Sequence, residues 1–448
     1  MPCSLLWFRQ DLRLTDLPAL EAALAAGRPI VPVYIYDPAM APGGASRWWL
    51  HHALAGLDRS LRRRGNRLVL RRGGWGQQIE RLRTEADVGE IFATRMHEPR
   101  ACEAERGIAG LKLLGGGTLF NPGLIKSQTG STYGVYTPFA RACRERPEPG
   151  APTPAPERLP VPEKWPASDN LADWDLLPRS PNWAAGWYDL WHPGEDGAER
   201  ALAHFKAHAM ARYDTDRDRP DLAGTSRLSP HLHFGEISPA TVWHATAGAE
   251  KFRDELLWRE FALYLLWHRP ELPDRPLRPE FDKFPWREDP AALHAWQRGR
   301  TGIPIVDAAM RELWQTGYMH NRMRMVVASF LTKHLLLRWQ DGAAWFLDTL
   351  VDADLAANST GWQWSAGCGV DAQPYFRVFN PVTQGEKFDP DGAYVRRYVP
   401  ELASLPAKLI HAPWLLGGLG RRAIAYPPPL VDLAAGRVRA LAAFQSLS

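Results

Sequence analysis

Three short stretches of this chain group side chains that could do chemistry together. In the first, Gly224-Thr225-Ser226-Arg227-Leu228-Ser229-Pro230 sets three hydroxyls and a guanidinium beside a Ser-Pro helix start. Hydroxyl donors, a guanidinium fork and the free N–H groups of a helix terminus suit an anion such as a phosphate, although Ser-Pro is equally a plain helix cap. In the second, residues 254–268, Glu255, Trp258, Arg259 and Ala262 fall at i, i+3, i+4 and i+7. A carboxylate and an indole then share one helical face, with a Glu255–Arg259 ion pair as the simplest expectation. Another helix is predicted to begin near Met319, where Asn321, Arg324, Met325 and Ala328 repeat that spacing. Polar groups on an otherwise apolar face need a partner, either protein or a bound polar ligand.

The third stretch carries a carboxylate pair and an amide, Asp352, Asp354 and Asn358. A calcium loop fails here, because Ala357 stands where glycine is needed and Gln363 where a bidentate glutamate is needed. Without metal, such a pair can accept hydrogen bonds from ribose hydroxyls or a flavin ring. Directly after it, Trp362 and Trp364 offer two indoles.

These groups need elements to position them. The first ~130 residues alternate short β-branched or aromatic runs, at 4–8, 30–36, 67–70 and 90–93, with Ala-, Leu- and Arg-rich stretches, the rhythm of a parallel α/β sheet. The glycine clusters at 73–76 and 115–117 match neither the dinucleotide nor the phosphate-loop fingerprint, so the main nucleotide is expected elsewhere. From 145 to about 193 prolines crowd the chain, Pro147, Pro149, Pro152, Pro154 and Pro156 among them, which reads as a connector. Beyond 195 helical patterns dominate. The expected layout is an α/β domain over 1–130, a connector over 131–194 and an all-α domain over 195–448.

Composition narrows the setting. At 448 residues the chain exceeds one ordinary core. Its 4 cysteines, Cys3, Cys102, Cys143 and Cys368, contain no CxxC pair, which argues against a disulfide framework or a metal site and predicts a reducing, cytoplasmic setting. Arg9, Asp11 and Arg13 interrupt any signal-peptide core and no apolar run is long enough to span a bilayer; no membrane partner and a monomer are expected. A net charge of +4 and a pI near 8.8 permit a polyanionic partner without establishing one. Most of the 20 tryptophans should be core, leaving a minority for stacking or electron transfer.

Gly224 to Ser229, Met319-His-Asn-Arg-Met-Arg-Met325 and DADLAANSTGWQWSAGCGVDAQPYFRVFNPVTQGEKF from Asp352 to Phe388 resemble the signature blocks of the photolyase/cryptochrome family. Leu6-Trp-Phe-Arg-Gln-Asp-Leu-Arg-Leu14 is similar to the family's first strand and turn. The likeness runs end to end and points to the class I-like enzymes that act on cyclobutane pyrimidine dimers. It implies an α/β antenna domain and a helical domain that holds FAD in a folded-back form. By position, Tyr213, Thr225, Ser226, Arg227, Leu228 and Ser229 match residues around the flavin phosphates. Phe252 stands where many relatives have tryptophan. Glu255, Arg259, Asn321, Arg324, Asp352 and Asp354 complete the implied cofactor shell. Asn358 matches the residue facing flavin N5, where relatives that signal rather than repair often carry aspartate or cysteine.

For the substrate, Glu255, Trp258, Asn321, Met325 and Trp364 match the dimer-contacting set, with Arg217 and Gln384 as further DNA contacts. The (6-4) enzymes place histidines at 321 and 325. The resemblance implies light-driven electron transfer from fully reduced FAD to a dimer flipped out of DNA, with Glu255 steadying the charge that develops on the dimer. Trp362, Trp339 and Trp286 match the indole chain that re-reduces flavin; a continuous Asn321 helix would put Trp339 ~22 Å along its axis from Arg324. Arg217, Lys283, Arg287, Arg298, Arg300, Arg396 and Arg397 are candidate phosphate partners. For the antenna, residues 46–52 resemble a folate-bordering helix, whereas Thr94 and His97 replace asparagine and tyrosine of the commoner pattern; methenyltetrahydrofolate is expected, with a deazaflavin or an empty site as alternatives. A cryptochrome-type photoreceptor is a second functional class, with Asn358 and Trp258 against it, and an FAD enzyme of unrelated redox chemistry a third, which no nicotinamide-site pattern supports.

Overall fold

A computed structural model describes residues 2–127, 130–371, 376–417 and 424–447. Its contacts divide the chain into two compact units: Met1–Ala211 with Ser226–Pro270 and Val351–Asp354, and Arg212–Thr225 with Glu271–Leu350 and Leu355–Ser448.

The first unit is built on five parallel strands, β1 (Cys3–Phe8), β2 (Ile30–Tyr36), β3 (Val69–Arg72), β4 (Val88–Thr94) and β5 (Leu111–Leu114), in the order β3-β2-β1-β4-β5. Four of them lie where the β-branched runs predict. β5 was not anticipated, because Leu-Lys-Leu-Leu carries no β-branched residue and is as good a helix former as a strand former. Every residue of β1 is buried, as a central parallel strand covered on both faces requires. The crossovers include α1 (Pro18–Ala25), α2 (Gly44–Arg63), α3 (Trp75–Ala86) and α4 (Pro99–Arg106).

Beyond the sheet this unit adds α5 (Tyr136–Arg144), α6 (Glu195–His208), the short α8 (Ser229–His233), α9 (Pro239–Ala245) and α10 (Glu250–His268), with α7 (Tyr213–Asp216) between them in sequence. Polar contacts join them to segments that flank the strands. The Arg13 guanidinium donates to the Gly235 carbonyl, 2.9 Å, and Trp49 Nε1 to Glu236, 2.9 Å. The buried Glu260 carboxylate of α10 accepts from the N–H groups of Leu119 and Phe120, 2.9 and 3.2 Å.

The second unit is helical among the described residues. It contains α7, α11 (Pro290–Gln297), α12 (Pro304–Thr316), α13 (Asn321–Ser329), α14 (Trp339–Thr349), α15 (Leu355–Ala366), α16 (Pro381–Phe388) and α17 (Ala393–Tyr398). Helix α12 starts on a proline and stops at Gly317, whose φ of 67° is the left-handed cap that glycine adopts freely. The buried Asp307 accepts from Thr301 N, Gly302 N and the Tyr426 hydroxyl. The expectation that Trp339 continues the Asn321 helix fails. After Ser329 the chain widens into a π-turn over Phe330–His334, Leu336 turns left-handed at φ 55°, and Trp339 opens the next helix, α14. Lys333 in that turn donates to the Ala366 carbonyl, 2.6 Å; a wide turn that feeds a buried side chain to a distant acceptor is a recognised way for a helix to break.

No helix among the described residues is long and apolar enough to cross a membrane, and all four cysteines are unpaired.

Candidate functional site

The hydroxyl-rich stretch does not act as a plain helix cap. Ser229 is the first residue of α8, and its Oγ donates to Asp352 Oδ2, 2.6 Å, so the hydroxyl is taken by a carboxylate rather than by the helix terminus. The helix is only five residues long, too short for its dipole to carry an anion site. What the stretch offers instead is a bend. Arg227 sits at φ 53° with its guanidinium 5.1 Å over the Trp191 ring, and the Leu228 N–H bonds the Ser226 hydroxyl, 3.3 Å. Asp352 is buried, and the Asp354 N–H turns back to its carbonyl, 2.7 Å. Asp354 Oδ2 lies 3.9 Å from His233 Nδ1. Ser229 and His233 of α8 thus lie beside Asp352 and Asp354, about 120 residues further along the chain. That donor and acceptor set fits the ribose and phosphate portions of a dinucleotide.

On α10, Phe252 is buried and packs on Phe205, 4.6 Å between centroids. Arg259 does not pair with Glu255 as expected; it reaches the adjacent Glu260, 3.0 Å, and the Gly117 carbonyl, 3.0 Å. Glu260 is almost fully buried and needs a partner; burial raises its pKa to about 7, and the Arg259 guanidinium works against that rise. Trp258 is 37% exposed, uncommon for so large an apolar side chain, with one face stacked on Tyr136 at 3.7 Å.

In the second unit, Tyr213 opens α7 and is buried, with Arg217 5.4 Å over its ring. Gly224 lies so close to the Asp216 backbone that any Cβ would collide with it, which fixes the approach of the chain to Thr225. Asn321 is exposed at the start of α13, Arg324 and Met325 are half-buried and Ala328 is buried, the single face that the spacing predicts. Arg324 Nε donates to the Met319 carbonyl, 2.8 Å, with the guanidinium over Tyr318. Met325 and Trp364 line a common cleft with Arg278, Lys333, Phe376, Arg377 and Phe379. The Asn358 amide donates through Nδ2 to the Ala343 carbonyl, 3.1 Å, so its carbonyl oxygen is left as the acceptor. Gln384 is half-buried on α16.

Of the tryptophans, Trp362 and Trp339 are buried and Trp286 is half-buried against Phe284, 4.3 Å. Trp362 packs on Phe346, 5.0 Å, and on Trp296, 6.0 Å, an indole that nothing in the sequence pattern singled out. Among the candidate phosphate partners, Lys283, Arg287, Arg298, Arg300 and Arg397 are exposed. Arg396 differs: its guanidinium donates to the carbonyls of Ala403 and Leu405 and serves as a backbone clamp.

Several supporting groups were missed. Arg322 pairs with Asp218, 2.6 Å, and lies over Phe388; a single arginine between motif residues gives no hint of its partner 104 residues away. Gln363 is fully buried and ties the Leu272 and Arg275 carbonyls and the Leu277 N–H. Its place between two indoles was visible, its partners were not. Residues 372–375 of the third signature block lie outside the described residues.

Comparison with known proteins agrees with this architecture. Residues 4–158 match the family described as DNA photolyase, and residues 252–446 the FAD binding domain of DNA photolyase. A deoxyribodipyrimidine photo-lyase of Agrobacterium fabrum is 47% identical over 99% of this chain and 98% of its own. Cryptochrome-1 of Arabidopsis thaliana is 35% identical over 98% of this chain but only 69% of its own. Among solved structures, a bacterial class III photolyase from Agrobacterium tumefaciens superimposes with a TM-score of 0.97 at 46% identity, covering 100% of this chain and 98% of that one. The fold, the two matched domains and full-length relatives at this identity place the chain in the photolyase/cryptochrome family.

Proposed function

We propose that the protein is a light-driven lyase that splits cyclobutane pyrimidine dimers in DNA, with FAD as its cofactor. The observation that carries this reading is the cleft beside Met325 and Trp364. It is lined by Met325, Trp364, Phe376 and Phe379 together with Arg278, Lys333 and Arg377. Flat, uncharged rings attached to phosphates are the ligand such a lining suits: the rings pack on the aromatic side chains and the cations meet the backbone. A pyrimidine dimer already weakens stacking and pairing, which lowers the cost of extruding it.

Reduced FAD, when bound, supplies an electron under light and takes it back after the dimer opens. The chain's own residues hold the two partners. By their match to the family's motifs, Tyr213, Thr225, Ser226, Arg227 and Ser229 would hold the phosphates and adjoining parts, and Asp352, Asp354 and Arg324 the ribose and ring. Asn358, oriented by its bond to Ala343, would present a carbonyl oxygen to the reduced flavin N5–H. Glu255 would hydrogen-bond a dimer carbonyl, and Trp258 would stack against a flipped base. Trp362, Trp339 and Trp286 would pass electrons inward from the surface. Exposed Lys283, Arg287, Arg298, Arg300 and Arg397, together with Arg217, would meet phosphates.

For the antenna we favour methenyltetrahydrofolate. In a parallel sheet a nucleotide-like chromophore would lie at the switch point, here between β1 and β4. That crevice holds Arg9, which bonds Glu105 and the Thr94 carbonyl while stacking 4.4 Å over Trp7 and 5.8 Å over Trp75. The filling favours a folate bound elsewhere over a deazaflavin there. The unpaired cysteines support a cytoplasmic protein that reaches the nucleoid through DNA.

Incubation with a dimer-containing oligonucleotide in blue light and in darkness tests the activity. Repair confined to light supports it, and light-dependent spectral change without repair would identify a photoreceptor instead. Glu255→Ala is expected to lower repair per absorbed photon with binding intact; an unchanged yield would remove that role.

A further inference from the structure

Tyr136 belongs to none of the signature motifs, yet its ring lies parallel to Trp258, with 3.7 Å between centroids and 5° between planes. The phenol is fixed at its far end, where the hydroxyl donates to the Asp254 carbonyl, 3.0 Å. Asp254 is one helical turn before Trp258 on α10, so the ring spans a full turn of the helix that carries the indole. Its own helix, α5, is fastened to α10 at two further points. At the far end of α5, Arg144 pairs with the Asp254 carboxylate, and in the interior Phe139 packs on Phe261, 5.1 Å, and Tyr264, 4.9 Å. Phe261 also meets the Trp258 edge at 6.0 Å and 70°. One indole face is therefore covered and one edge is blocked, while the residue stays 37% exposed.

A half-exposed tryptophan on a helix ordinarily samples several rotamers, and a base that stacks on it must first select one. Here the selection has been made in advance. We propose that Tyr136 is a positioning residue for base recognition: it backs the Trp258 ring so that the opposite face stands ready as a rigid platform for a flipped pyrimidine. This rests on the reading of Trp258 as a base-stacking wall. The Tyr136 ring supplies the platform's second layer, and its hydroxyl only anchors that ring, so phenylalanine should do most of the work of tyrosine.

The test is affinity for a single-stranded oligonucleotide carrying one thymine dimer, beside the same strand undamaged, for Tyr136→Ala, Tyr136→Phe and Trp258→Ala. Tyr136→Ala should weaken dimer binding roughly two- to tenfold, the worth of one aromatic pair, and leave binding to the undamaged strand unchanged. Tyr136→Phe should stay within about twofold of the parent. If Tyr136→Ala binds the dimer as the parent does while Trp258→Ala is weakened, the brace is refuted and the stacking wall stands. If Trp258→Ala is itself silent, the wall falls and the brace with it. An equal loss for both strands, or loss of bound flavin, would mark a general structural defect and overturn the proposal.

Discussion

At the scale of single residues, space matters as much as polarity. Gly342 on α14 faces the flat of Trp362 so closely that a Cβ would overlap the indole ring. Glycine is a poor helix former, and alanine in a helix interior would ordinarily gain about 1 kcal/mol. Overpacking a closed core costs about 1–3 kcal/mol, so the collision outweighs the propensity gain. Gly342→Ala should lower stability in urea unfolding and, because Trp362 must move, slow photoreduction of bound flavin. A variant as stable as the parent would show that the indole has room to shift. The same logic makes Asn358 informative, since its amide can face only one way once Nδ2 is held by Ala343.

At the scale of elements, a buried side chain often holds a helix against a loop. Gln363 is fully buried in α15 and satisfies three backbone groups of residues 272–277. Replacing it with leucine keeps the approximate volume but orphans two carbonyls and an N–H, each worth about 1–3 kcal/mol when stranded away from water. Gln363→Leu should therefore destabilise the protein by about 3 kcal/mol or more. It should also loosen both neighbouring indoles, visible as a shift in tryptophan fluorescence. The π-turn at Phe330–His334 is a second device at this scale: by ending α13 it places Lys333 at the Ala366 carbonyl and starts α14 in a new direction.

At the scale of the whole molecule, buried histidines set the acid limit. Burial lowers His320 and His334 to about 4, with Arg322 and Arg324 beside the first and Arg439 beside the second disfavouring the charged form further. Both are deeply buried. In the unfolded chain they titrate near 6.5, so unfolding takes up protons between the two values. Their contribution is complete above about pH 6.5 and is lost as pH falls towards 4, at about 1.4 kcal/mol per pH unit for each histidine. The melting temperature should thus fall steeply over that window. A His334→Gln variant that still folds should show a shallower fall; an identical slope would exclude His334 as a contributor.

The sequence by itself determined most of the architecture and the family. Strands β1 to β4, the helical second half and the three signature blocks were legible because each is local: β-branched runs, 3.6-residue spacing and contiguous motifs need no knowledge of distant residues. Glu255 with Trp258 on α10, and Asn321 with Met325 on α13, share a face by helical spacing alone. Only the tertiary structure decided the partners. Arg259 took Glu260 instead of Glu255, Ser229 took Asp352 instead of its own helix, and Trp339 left the Asn321 helix at a π-turn. Tyr136 found Trp258 more than a hundred positions along the chain. Such choices follow from burial, which raises the cost of any unpaired polar group and the gain of any close aromatic contact. Burial is a property of the folded whole and not of any window of sequence.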